Sequence, residues 1–249
     1  MPRIELSNES RKDPTHTLWI LDEFEKKITK LFEKAKPKLT DLIPREIVYE
    51  HRAIQKASVD LDKVLPQVDQ IIETDILDPA NNMIEVEIPK AYNAGNAFAS
   101  IQLGASPEER RAEWTKIGDR IIKTLSDFKG ITDETAKTIR ATIAEGIINE
   151  RTFGEITRDI VRNVDGVGIV RSTAMVRTET MKAVNAGVED EYRKEGITEV
   201  EWLTVLDDQE CAECNELYGE IFPIDDHPDC PLHVNCRCTL LPKIEIPEM

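Results

Sequence analysis

Between Thr17 and Phe32 the apolar positions Leu21, Phe24, Ile28 and Leu31 are spaced three and four apart. That spacing predicts one buried face of an amphipathic helix. The stripe can either pack within the chain or serve as a docking face for a partner helix or groove. Pro37 is expected to end the helix, because proline lacks an amide hydrogen and its ring collides with the preceding turn. In residues 46–78, Ile54, Val59, Leu61, Val64, Leu65, Val68, Ile71 and Ile72 allow a helix that Pro66 breaks or kinks. Ile84, Val86 and Ile88 alternate with Glu85 and Glu87, which reads as a strand with an acidic outer face. Asn93, Gly95 and Asn96 read as a loop, and Gly104 to Pro107 as another. Residues 1–16 are polar and read as a loose arm.

From residue 108 the helical signal is clearer. Ile117, Ile121, Leu125 and Phe128 form a stripe that Gly130 is expected to close. Thr132, followed by Asp133 and Glu134, predicts a new helix start with Ile139, Ile143 and Ile147 inside. Thr152 and Glu155 form a capping box for a third helix, with Ile156 and Ile160 inward and Gly166 and Gly168 at its end. A fourth helix carries Val170, Ala174, Met181, Val184 and Val188 on one stripe and stops at Gly196. Arg177 stands in that stripe where an apolar residue belongs. A charge there needs a partner, so a buried pairing with backbone carbonyls or, most readily, with a carboxylate on a neighbouring helix is expected, with an anion-binding or catalytic role as the alternative. Glu179 is expected to face elsewhere, and Asn185 could join the same polar cluster.

After Gly196 the period changes from helical to alternating. Val200, Trp202 and Thr204 suggest one strand, and Cys238 with Leu240 a second that pairs with it. The chain therefore reads as α+β: mainly helical, with a small C-terminal β knuckle. It divides into a variable, largely helical region at 1–109, a helical part at 110–198, and the knuckle and tail at 199–249.

Composition sharpens this division. The 249 residues carry 48 acids against 32 Lys and Arg, a formal net charge of −16, and residues 199–249 alone hold 13 acids and two bases. A DNA coater or an anionic-membrane binder would need the opposite sign. There is no apolar run of about 18 residues, so no membrane helix is expected. The N-terminus shows no secretory pattern, so the chain is expected to stay in the cytosol of the cell that makes it.

All five cysteines fall after residue 210: Cys211 and Cys214, then fifteen residues, then Cys230, with His233, Cys236 and Cys238 close behind. A C-x-x-C pair places two thiolates for one tetrahedral ion, and a second Cys and His group on a returning loop completes four ligands. Thiolate and imidazole donors favour zinc, about one ion per chain. Cys211, Cys214 and His233 are the firmest ligands. In a regular strand Cys236 and Cys238 would lie about 7 Å apart on one face, so one of them is expected to bind and the other to pack. Cys230 is held in reserve. A set of four protein ligands favours a structural ion, since a knuckle of about 40 residues has too little core to hold itself.

Arg177-Thr178-Glu179, Asn185-Ala186-Gly187, Tyr192, Gly196, Trp202, Asp207, Cys211-x-x-Cys214, Gly219 and Pro231-x-His233-x-Asn235-Cys236-Arg237-Cys238 together resemble the phage head morphogenesis family, which includes the Mu protein F-like minor head proteins of tailed viruses. The resemblance covers roughly residues 110–242. It implies a non-enzymatic minor component of the virion head, assembled in the host cytoplasm. It also implies contacts with the portal and with other head proteins such as coat and scaffold, and neither a small-molecule substrate nor strong direct nucleic-acid binding. Two other classes stay open from the residues alone. One is a metal nuclease of His-Asn-His type, suggested by Asp226, His227 and Asn235. The other is a zinc-dependent interaction module of a cellular protein.

Overall fold

A computed structural model of the chain describes residues 13, 15–43, 61–105, 114–149, 151–205 and 211–244. Most of the predicted arm, and Ile54, Val59, Pro107, Asp207 and Asp208, lie outside the described residues. The described elements are helices α1 (Leu18–Asp41), α2 (Leu61–Ile71), α3 (Asp78–Gln102), α4 (Trp114–Ile148), α5 (Phe153–Asn163) and α6 (Val170–Lys194), then strand β1 (Glu199–Leu203), the short helix α7 (Ala212–Leu217), and strands β2 (Ile221–Pro223) and β3 (Thr239–Pro242). The expected balance, mainly helical with a small C-terminal sheet, holds. Among the described residues no helix is long and apolar enough to cross a membrane.

The helices are longer than their punctuation predicts. Pro37 does not end α1, which runs on to Asp41. Ala35 and Leu39 continue its buried stripe past the proline, and that burial outweighs a local cost of roughly 3 kcal/mol. Pro66 likewise stands inside α2. The expected strand at Ile84–Ile88 is part of α3: Ile84 and Ile88 are fully buried while Val86 between them is 62 % exposed, so the period there is four. Glu87 is buried, not on a solvent face, and pairs with Lys90 at 3.2 Å. Asn93, Gly95 and Asn96 are helical and form no loop. Gly130 and Thr132 lie in mid-helix, and the Thr132 hydroxyl donates to the Lys129 carbonyl at 2.9 Å, satisfied within α4 without a new start. Gly166 and Gly168 sit in a π-helical turn (Val164–Ile169) that joins α5 directly to α6, as Ile72–Leu77 joins α2 to α3.

The chain forms two compact units. One comprises residues 25–84 and 123–175. Its buried side chains include Phe32, Ile76, Phe128, Ile143 and Ile160. Gly168 leaves room for Phe32, since a β-carbon there would meet the ring at 2.5 Å. The capping box of α5 is present as predicted: the Thr152 hydroxyl accepts from the Glu155 amide, and the Glu155 carboxylate accepts from the Thr152 amide. Arg171 pairs with Glu134 at 2.7 Å and Lys38 with Asp75 at 2.8 Å.

The second unit comprises residues 1–24, 85–122 and 176–249 and holds the whole sheet. Leu21 and Phe24 of this unit, and Ile28 and Leu31 of the other, are buried, so the α1 stripe is core. α3 and α6 cross closely. A β-carbon on Gly95 would stand 1.9 Å from the Val184 carbonyl oxygen, and the Asn96 amide donates to the Gly187 carbonyl at 2.9 Å. α6 ends where expected, at a left-handed Gly196 with φ +78°. The sheet is antiparallel in the order β2-β1-β3. β1 pairs with β3 as predicted, with Trp202 opposite Leu240. β2 carries no periodic signal in the sequence.

Candidate metal centre

Two loops and one short helix carry the cysteines. Cys211 caps α7, its sulfur accepting the Cys214 amide at 3.3 Å, so one turn of helix brings both thiols to the same end. The opposite wall comes from the turn before β3. The His233 carbonyl accepts the Cys236 amide at 3.1 Å, and Asn235 in this turn takes a left-handed φ of +63°. His233 Nε2 lies 3.0 Å from Cys211 Sγ and 3.1 Å from Cys214 Sγ, and Cys214 Sγ is 3.7 Å from Cys236 Sγ.

Five of the predicted ligand atoms thus gather as two overlapping trios. Cys211, Cys214 and His233 form one, Cys214, Cys236 and Cys238 the other, and within each trio the donor atoms lie within 4.8 Å of one another. The 7 Å spacing expected of Cys236 and Cys238 does not occur. β3 begins only at Thr239, and the turn at Asn235 bends the chain so that both sulfurs approach Cys214. Cys230 belongs to neither trio among the described residues. Its thiol donates to the Cys238 carbonyl at 3.3 Å.

A tetrahedral zinc with bonds of about 2.3 Å to sulfur and about 2.0 Å to nitrogen sets S–S edges of about 3.8 Å and S–N edges of about 3.5 Å. The Cys214–Cys236 edge matches this, and the two S–N edges are shorter by about half an ångström. A cavity of about 30 Å³ lies among Cys211, Cys214, His233, Cys236 and Cys238, room for one small guest. Thiol and imidazole donors suit a thiophilic ion, and they close on one another in two sets of three that share Cys214.

One contact orients the His233 ring toward the sulfurs. The Val234 carbonyl lies 2.9 Å from His233 Nδ1. A carbonyl only accepts, so the hydrogen sits on Nδ1 and Nε2 is turned to the sulfurs. That carbonyl also raises the His233 pKa, helped by Cys211. The Cys214 amide lowers the Cys211 thiol, while burial pushes Cys214 up to about 12. A hydrogen bond from Cys238 lowers Cys236 to about 5, and the same bond raises Cys238.

The residues around the cluster come largely from α6. The Thr178 hydroxyl accepts the Asn235 amide at 3.1 Å. Asn185, fully buried, donates to the Cys238 carbonyl at 3.0 Å and to the Cys230 sulfur at 3.3 Å, and accepts from the Thr239 hydroxyl at 2.8 Å. The Tyr192 hydroxyl donates to the Leu240 carbonyl at 3.3 Å. From β1's end, the Thr204 hydroxyl donates to the Cys214 carbonyl at 2.7 Å and accepts from the Cys238 thiol at 3.8 Å. Thr204 and Thr178 carried no signal beyond their place in a strand and a helix. Asn185, which could join a polar cluster with Arg177, bonds the knuckle.

Arg177 itself is half-buried, not enclosed. The buried charge of this stretch is Glu179, 3 % exposed, which pairs with Lys182 at 2.7 Å and lies 3.7 Å from Arg120 of α4.

Comparison with curated proteins and with solved structures gave no match. Residues 137–241, which run from within α4 through α5 and α6 to β3 and take in every cysteine and both knuckle histidines, match the family described as phage Mu protein F like protein.

Proposed function

We propose that the chain is a minor head protein of a tailed virus. It acts by protein–protein contact during head assembly, at or near the portal vertex, and its knuckle is held by one structural zinc ion. The observation that carries the assembly role is the family match over residues 137–241. Head assembly implies contacts with other head proteins, and the portal is the partner proposed here.

The zinc reading rests on the donor cluster. Cys211, Cys214, His233 and Cys236 would hold the ion. Cys236 is chosen over Cys238 because its sulfur stands one tetrahedral edge from Cys214 and because the Cys238 thiol meets the Thr204 hydroxyl. Three thiolates and one imidazole make a closed set with no position left for a reacting water. What the ion supplies is stability: the strands have three to five residues each and α7 six, too little to fold alone.

The assembly role is tested in purified heads. Mass spectrometry is expected to find the chain in few copies, in precursor or finished heads, and to find cross-links to the portal. Heads that form normally in the absence of the chain and never contain it would overturn the reading. Metal-dependent cleavage of DNA by the purified chain would favour the nuclease class instead.

A further inference from the structure

Thr178, Asn185 and Tyr192 are spaced seven apart on α6, so they line up on nearly one face of the helix, about 10 Å from one to the next. All three bond the same stretch of backbone: Asn235 through its amide, and Cys238 and Leu240 through their carbonyls. Residues 238–242 are buried throughout. The other wall of the cluster is held differently. Of Cys211–Leu217 only Cys214 is buried. The side-chain bonds that tie this segment to the rest, among the described residues, are one hydroxyl from Thr204 and the sulfur contacts of the cluster itself.

We infer that α6 is a comb that fixes the segment 235–240 in its site-forming shape before any ion arrives. The metal centre is then half preformed. Cys236 and the turn from His233 wait on α6, and the ion gathers Cys211 and Cys214 onto them. The inference rests on the proposed metal reading for its second half, and Thr178, Asn185 and Tyr192 are positioning residues, not ligands. Outer partners of this kind typically change metal affinity by roughly 10–100-fold.

The test uses the full chain, metal-free and zinc-loaded, with amide hydrogen exchange as the readout. Without metal, 235–240 should exchange slowly and 211–217 fast, and zinc should slow 211–217 at least about tenfold. Thr178→Val and Tyr192→Phe remove single hydroxyls from the comb. Each should speed exchange of 235–240 in the metal-free chain, weaken zinc in competition with a chromophoric chelator by about 10-fold or more, and alter the cobalt(II) absorption bands. Thr178→Ser should restore all three. Metal-free exchange at 235–240 as fast as at 211–217, or unchanged zinc affinity in both variants, would overturn the comb. A chain that takes up no zinc, yet shows slow exchange at 235–240 that these variants abolish, would refute the metal reading and leave the comb standing.

Discussion

Gly187 of α6 lies so close to α3 that a β-carbon built on it would stand 2.1 Å from the Tyr92 carbonyl oxygen. The obstacle is backbone, which cannot swing aside as a side chain can. The Asn96 amide caps the Gly187 carbonyl from the same helix. This crossing fixes α6, and α6 in turn carries the bonds to the knuckle. Gly187→Ala is therefore expected to lower stability by about 3 kcal/mol or more, the upper range for overpacking. Gly118, in the interior of α4, has open space around it. Gly118→Ala should raise stability by about 0.5–1 kcal/mol. Urea midpoints of the two variants, with their slopes, check the contrast. Equal midpoints would mean that the crossing is looser than described.

The buried carboxylate of Glu179 makes a second prediction. Lys182 and Arg120 are each about one-third exposed on their side chains (35 % and 29 %), whereas Glu179 is 3 % exposed. Removing a cation strands a buried anion, while the cations themselves still reach water. Lys182→Met should cost about 1–3 kcal/mol, and Arg177→Met less. Thermal melts of both variants at one pH decide the order, and the reverse order would return the buried ion pair to Arg177.

The cap of α5 gives a pH dependence. The hydroxyl and amide of Thr152 donate to the Glu155 carboxylate and hold its pKa below the ordinary 4.5. A depressed pKa in the folded state adds stability that is present above the unfolded value and lost as pH falls through the folded one. The α5 cap should thus loosen only below about pH 4.5. Carbon NMR titration of Glu155 should show the low midpoint, and Thr152→Ala should return it toward the ordinary value. A midpoint that does not move with Thr152→Ala would remove the cap from the account.

Local chemistry was legible in the sequence where it acts locally. Thr152 with Glu155, Gly196 after α6, and the period of Val200 and Trp202 each specify their own few residues, and each stands as read. The clustering of the cysteines was legible because their grouping is visible without a fold, and the fold does bring four of their sulfurs and His233 together. What misled was punctuation. Gly130 and Thr132 read as a helix boundary, yet Phe128, Ile131, Thr135 and Ile139 are buried through it. Gly95, Asn93 and Asn96 have the composition of a loop because a close helix crossing also needs small and polar residues. Ile84 and Ile88 fit both a period of two and a period of four, and only the exposure of Val86 separates them. β2, with Ile221, Phe222 and Pro223, is too short to show a period at all.

The cluster's central prediction is metal content. Native mass spectrometry of the full chain, prepared under reducing conditions without chelators, should show about one zinc per chain, as four ligands for one ion require. Cys211→Ser and His233→Ala should lose it, and Cys230→Ser should keep it. A wild-type chain that carries no stoichiometric metal, or a Cys230→Ser chain that loses it while His233→Ala retains it, would contradict the assignment of the site.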